Sequence, residues 1–537
     1  MRIFLALLAV VAAAAHDVVY QHRLAEVPGH TLTQPAYLWV PPSATTLRGV
    51  VLGGNVLCEG RILAHPEVRA AMERQSLAAV YFSAHPFSTL PEPATNAAFI
   101  DAVLGAFADA SGHAELAQAP WMPIGHSVGT VFAARLLAHR PDRTFACLTF
   151  KGGFSLQLGR AAEELAGIPI LHVQGQFEEF GPGKDGVLTD GETRETGWNT
   201  ARENLRAIRR EHAGVLLGLL VDTGSTHYAL NDSVARHIAG FIEAAARQRI
   251  GAGGALRAVA AAEGAWTDGG LLTPAVPAAA DAAFAGDKAA GFWHPTPELA
   301  AGAEAIHMAV KGKQPQYVSV TDPNGRPVPV AHDMRIKLPV KWDADGTFRV
   351  GAGFLGEIPR RYPPQPGPVG HAATPPSVLF MAGPIEALGD GRFRPVADMR
   401  LGDRAFVYAM HPGDATYRRA EQQALISEIS LPRAPRADAR PSNRQPKKAQ
   451  VLSVELPKSV PASALPLKLA GTSDSGLGVT FHVDAGPARI VDGALVLDRI
   501  PLKARGRAQR LIVVAGQMGD GAHAPAAPIE FPIVIEP

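Results

Sequence analysis

Cysteine is scarce: Cys58 and Cys147 are the only two in 537 residues. With no paired Cys or Cys/His spacing, the sequence offers neither a disulfide framework nor a zinc-type ligand set, and no metal is expected. Charge imbalance is missing too. Fifty-one Lys and Arg stand against 50 Asp and Glu, a formal net charge of +1. Composition therefore makes no electrostatic case for nucleic acid or an anionic membrane. There is no P-loop and no dinucleotide fingerprint, so no cofactor is expected. After the first fifteen residues no apolar run is long enough to span a bilayer. No internal repeat of useful length is present.

What is there is a chain with 47% apolar and 19% charged residues, the composition of a globular protein. Its length calls for roughly two to four domains. At the start, Arg2 is followed by thirteen residues, 3–15, without a charge, closing on Ala13-Ala14-Ala15. A basic residue, a short apolar stretch and small residues are the pattern of an export leader. Residues 1–15 are expected to be a signal peptide, and the mature chain secreted or periplasmic.

From 16 to 250, short continuous apolar runs alternate with helical patterns. Strands are expected at 36–40, 48–52, 77–83, 120–124, 144–150, 168–173 and 215–221, with helices near 66–75, 94–110, 131–139, 197–212 and 232–249. Apolar strands separated by helices predict a mostly parallel, doubly wound sheet covered on both faces. In the middle of this pattern lies Gly125-His126-Ser127-Val128-Gly129, of the form G-x-S-x-G. A serine that attacks a carbonyl needs a sharp strand-to-helix turn that projects its hydroxyl, and flanking glycines let the backbone pass close on either side. The motif sits between a strand and a helix, the required order. Ser127 is the candidate nucleophile.

A serine needs a base, and the base an orienting acid. His227, just beyond the strand 215–221, is the candidate base. His212 and His237 fall on helices, and His113 in a solvated loop. The strand 168–173 runs into Gly175-Gln176-Phe177-Glu178-Glu179. Glu178 is the candidate acid, with Glu179 its alternative; Asp222 lies too close to the strand end. For the oxyanion, the backbone N–H of Val128 is one expected donor. Asn55, in Gly53-Gly54-Asn55, is the second, with Gly54 in reserve.

Ser127, Glu178 and His227 in this order, with Gly53-Gly54-Asn55 upstream, resemble an exported serine esterase of the α/β-hydrolase fold over residues 36–247. The resemblance implies acyl transfer through a Ser-His-Glu triad. It departs from the lipases, which carry His-Gly-Gly-Gly. Only about fifteen residues separate Lys151-Gly152-Gly153 from the acid strand, too few for a large cap. An open cleft suits short-acyl esters or esters on a scaffold such as plant polysaccharide. A serine peptidase of the same fold, and a polymer-binding protein with a vestigial hydrolase domain, are the alternatives.

Beyond residue 250 the pattern changes. Residues 251–431 read as a β-rich accessory domain, in which Phe292-Trp293-His294 is expected either to pack against the hydrolase or to rim its cleft, and Thr296-Pro297 to open a helix. Residues 432–448, rich in Arg, Pro and Lys, form a linker. Residues 449–537, with short strands and turns such as Asp492-Gly493, read as a β-sandwich. The stretch 475–487 resembles bacterial immunoglobulin-like modules. Oligomeric state leaves no mark on the sequence.

Overall fold

The computed structural model describes residues 20–23, 35–54, 58–82, 93–152, 163–176, 196–270, 274–330, 336–359, 368–398, 404–430 and 447–537. Its N-terminal part is built on eight strands: β1 (Tyr20–Arg23), β2 (Pro35–Trp39), β3 (Gly49–Gly53), β4 (Leu77–Phe82), β5 (Trp121–His126), β6 (Cys147–Phe150), β7 (Pro169–Gly175) and β8 (Leu216–Asp222). They form one sheet in the order β1-β2-β4-β3-β5-β6-β7-β8. The first two pairings, β1 with β2 and β2 with β4, are antiparallel. All the others are parallel. The mostly parallel sheet expected from the apolar runs is therefore present.

Helices cover both faces, which is why the strands are apolar throughout instead of alternating. These are α1 (Glu59–Ala64), α2 (Pro66–Arg74), α3 (Pro93–Ser111), α4 (Gly129–His139), α5 (Thr196–Glu211) and α6 (Asp232–Arg249). Val51 of β3 joins Ile62, Met72 and Ile238 on one face. Its neighbours Val50 and Leu52 join Phe99, Phe107 and Phe132 on the other. Local chemistry sets the ends: Pro66 opens α2, and the Asn231 side chain accepts from Val234 N (3.0 Å) to cap α6.

Packing runs across the joint near residue 250. The strands β9 (Ala265–Thr267), β10 (Ala279–Ala280) and β11 (Phe292–His294) form a small sheet in the order β10-β9-β11. Phe292 shares an apolar cluster with Leu217, Leu219 and Val221 of β8. A Cβ on Gly218 would lie 2.6 Å from the Trp293 carbonyl oxygen, so β8 and β11 meet at backbone distance. Phe292 and Trp293 are fully buried and belong to this interface core. The helix α7 (Pro297–Met308), capped by the Thr296 hydroxyl, adds Ala303 to the cluster that contains Ile238 and Ile242.

The central β-rich region contains β12 (Val318–Val320), β13 (Ile336–Leu338), β14 (Phe348–Arg349), β15 (Ala352–Phe354), β16 (Ser377–Ala382), β17 (Ile385–Gly389), β18 (Arg392–Pro395), β19 (Arg404–His411) and β20 (Ala420–Ser430). They pair as β13-β20-β19-β16, β14-β18-β17 and β12-β15. In the last part, a sheet of Ser459–Pro461, Ile529–Glu536, Gln509–Gly516 and Thr480–Ala485 and a sheet of Leu467–Lys468, Ala494–Leu497 and Ala488–Val491 contribute to one apolar cluster. Asp492-Gly493 is a hairpin turn with both residues left-handed, φ 50° and 71°. This part touches both others. Tyr37 Oη donates to Asp484 Oδ1 (2.8 Å), Lys503 Nζ to the Gly112 carbonyl (3.1 Å), and Met518 lies in the central core. Among the described residues no helix is long and apolar enough to cross a membrane. The expected leader and most of the linker fall outside them.

Candidate active site

The turn between β5 and α4 carries Ser127. β5 is buried along its whole length, Ser127 is half-buried, and Val128 is exposed. Ser127 has φ 55°, the left-handed region that costs a non-glycine residue free energy and persists only where surroundings impose it. Three contacts hold it there. Ser127 N donates to the Phe150 carbonyl (3.1 Å), and Thr130 donates to the Ser127 carbonyl from N (3.0 Å) and from Oγ1 (2.7 Å). Two glycines make room. A Cβ on Gly125 would lie 2.0 Å from the Gly129 oxygen, and one on Gly152 2.5 Å from the Ser127 oxygen. The first belongs to the motif; the second comes from the end of β6, where no motif marks it. Val128 is the N-cap of α4, whose first-turn N–H groups lack intrahelical acceptors and face positive potential toward an anion.

His227 lies in the loop after β8 and is fully buried. The fold brings that loop to the elbow. His126 Nε2 donates to the His227 carbonyl (3.1 Å), and the two rings are 4.8 Å apart. The Tyr228 ring stands edge-on to His227 at 4.7 Å and stacks on Phe406 of β19 at 6.1 Å. Burial, then the neighbouring His227, holds the His126 imidazole well below its ordinary pKa, so it serves as a neutral donor. The buried Glu59, in the first turn of α1, accepts from His126 N (2.9 Å). Neither the His126 ring nor Glu59 was marked by sequence spacing.

Beneath the loop lies Lys151, fully buried, with φ 45°. Its ammonium donates to Asp222 Oδ2 (2.7 Å), Ser225 Oγ (2.7 Å) and the carbonyls of Thr226 (2.8 Å) and Ala229 (2.7 Å). Burial alone would push the Asp222 carboxyl up, but Lys151 and then Arg419 beside it hold it below the usual range. Asp222 is thus an ionic partner of Lys151.

Asn55, Glu178 and Glu179 lie outside the described residues; Gly54 is buried at the end of β3. The stem leading toward Glu178 is tied to the His227 loop: Gln176 N donates to the Asp222 carbonyl (3.1 Å), and Gln176 Oε1 accepts from Gly224 N (2.8 Å). His113, expected in a solvated loop, is buried instead, because Glu115 Oε1 lies 2.8 Å from its Nδ1 and the Ser111 hydroxyl accepts from its backbone N–H. Among the described residues no group of three or more His, Cys, Asp or Glu could hold a metal ion.

Solved structures similar to this chain include esterases and other hydrolases. The esterase domain of a Rhodothermus marinus protein is 17% identical, covers 40% of this chain and 92% of its own, with a TM-score of 0.26. Est1E from Butyrivibrio proteoclasticus is 13% identical over 39% of this chain and 91% of its own, TM-score 0.26. A thermostable carboxyl esterase from Bacillus coagulans is 12% identical over 40% and 95%, TM-score 0.28. No protein-family model and no curated protein matches the chain.

Proposed function

We propose that this chain is an exported carboxylic-ester hydrolase of the α/β-hydrolase fold that works through an acyl-enzyme on Ser127. One observation carries the reading: Ser127 is held at φ 55° between β5 and α4, and the residue before it is hydrogen-bonded to the loop of His227. In the proposed cycle the Ser127 hydroxyl attacks the ester carbonyl carbon while His227 takes its proton. The oxyanion meets the Val128 N–H, and a second donor from Asn55. When the intermediate collapses, the C–O bond to the alcohol breaks and His227 returns the proton to the leaving oxygen. Water then repeats the sequence on the acyl-enzyme, releasing the acid and free Ser127. Glu178, or Glu179 beside it, is proposed to hold the His227 tautomer. Short-acyl esters, free or carried on polysaccharide, are the proposed substrates.

A fluorophosphonate probe should label the wild-type chain and leave Ser127→Ala unlabelled. Labelling that survives the substitution would move the nucleophile elsewhere. Hydrolysis of p-nitrophenyl acetate without cleavage of peptide substrates separates an esterase from a peptidase of the same fold.

A further inference from the structure

Burying an ammonium costs several kcal/mol even after relaxation, so a fully buried lysine needs a reason beyond stability. The Lys151 acceptors indicate one. All four lie in the single segment from Asp222 to Ala229, and the Thr226 and Ala229 carbonyls fall on either side of His227. The ammonium has three N–H groups for these four acceptors, and thereby sets the path of the loop.

A second set of side chains meets the same loop, and it comes from β20 and the residue before it. Arg419 Nη1 lies 3.8 Å from Asp222 Oδ1 and its guanidinium pairs with Glu421. The Ser225 hydroxyl, which accepts from Lys151, lies 3.4 Å from Glu421 Oε2 as donor. Thr226 Oγ1 donates to Gln423 Oε1 (3.0 Å). Glu421 and Gln423 are buried. A Cβ on Gly224, itself left-handed at φ 74°, would lie 2.9 Å from the Arg419 carbonyl oxygen, so strand and loop meet at backbone distance. The charges of Lys151, Asp222, Arg419 and Glu421 sum to zero, and half of them lie about two hundred residues further along the chain. Removing β20 would leave the Lys151–Asp222 pair but strip Ser225 and Thr226 of Glu421 and Gln423.

We infer that Lys151, Arg419 and Glu421 are positioning residues for His227, and that the central β-rich region is part of the catalytic unit. This rests on His227 being the base. Apolar groups of similar volume would glue two domains together at lower desolvation cost; a directional network instead specifies where the loop backbone sits. A catalytic group misplaced by about an ångström costs on the order of a hundredfold in rate.

The test uses the full chain with p-nitrophenyl acetate, and reads kcat and KM separately beside fluorophosphonate labelling and circular dichroism. Arg419→Gln and Glu421→Gln are expected to lower kcat and the labelling rate by about ten- to a hundredfold while KM stays within about twofold. Arg419→Lys, which keeps the charge, should recover most of the loss. Where the Gln variants do not fold, Thr226→Val removes only the hydroxyl that meets Gln423 and is expected to lower kcat about tenfold. Folded variants that all retain wild-type kcat would overturn the inference. His227→Ala tells the two failures apart. If it is inactive while the Arg419, Glu421 and Thr226 variants run at wild-type rates, only the positioning role falls. If it keeps wild-type labelling, the base assignment falls and takes the inference with it.

Discussion

At the scale of single residues, the elbow is a steric problem with a narrow solution. The Gly129 carbonyl oxygen sits 2.0 Å from where a Gly125 Cβ would be, and the clash is with backbone. Backbone of the first turn of α4 cannot retreat without disturbing the bonds that hold Ser127 at φ 55°. Gly125→Ala should therefore destabilise the chain by roughly 2–3 kcal/mol, the upper part of the range of about 1–3 kcal/mol for overpacking, and remove fluorophosphonate labelling altogether. Urea midpoints and labelling on the same samples check both; a stable, labelling-competent Ala variant would mean that the elbow can relax.

At the scale of elements, α6, β11 and α7 meet over three buried histidines. The His237 and His294 rings are 5.8 Å apart at 89°, and His307 Nε2 accepts from Val221 N at 2.8 Å. Burial pushes His237 down to about 4 and His307 down to about 3, from an ordinary value of 6.5, and holds His294 well below that value. The sign follows. Below pH 6.5 the unfolded chain takes up protons that the folded chain refuses, so acid favours unfolding, and this contribution is lost as pH falls from 6.5 toward 4. For His237 alone the loss is on the order of 3 kcal/mol. Urea midpoints should fall steeply between about pH 6.5 and pH 4, and His237→Gln should flatten the fall. An unchanged slope in that variant would show that other groups carry the acid sensitivity.

At the scale of the whole molecule, the N-terminal sheet does not end in solvent. β11 and α7 cover β8 and α6, so a fragment ending at residue 250 loses Phe292 from the cluster of Leu217, Leu219 and Val221, and Ala303 from that of Ile238. It also exposes the β8 edge to other chains. The 16–250 fragment should collect in the insoluble fraction on expression. A soluble fragment that labels as fast as the full chain would show that neither the cover nor the central region is needed.

The chain itself determined the layout of the N-terminal sheet, because that layout is written in local patterns. Apolar runs such as Leu77–Phe82 and Leu216–Asp222 became buried strands, and Ser127-Val128 became the turn between β5 and α4, with Gly125 leaving room for the Gly129 carbonyl. Thr296-Pro297 and Asp492-Gly493 became a helix start and a hairpin for equally local reasons. Tertiary structure alone decided the rest. Glu421, Gln422 and Gln423 form a polar run that no local pattern marks for burial, yet all three are buried, and Glu421 and Gln423 have partners in a loop nearly two hundred residues earlier. Lys151 has no role that sequence spacing marks, and Asp222 lies too close to its strand end to serve as the expected acid; each is buried because the other neutralises it. Hydrophobic period and turn chemistry are properties of neighbours in sequence. Charge compensation in a low-dielectric interior is a property of neighbours in space, and no local pattern encodes it.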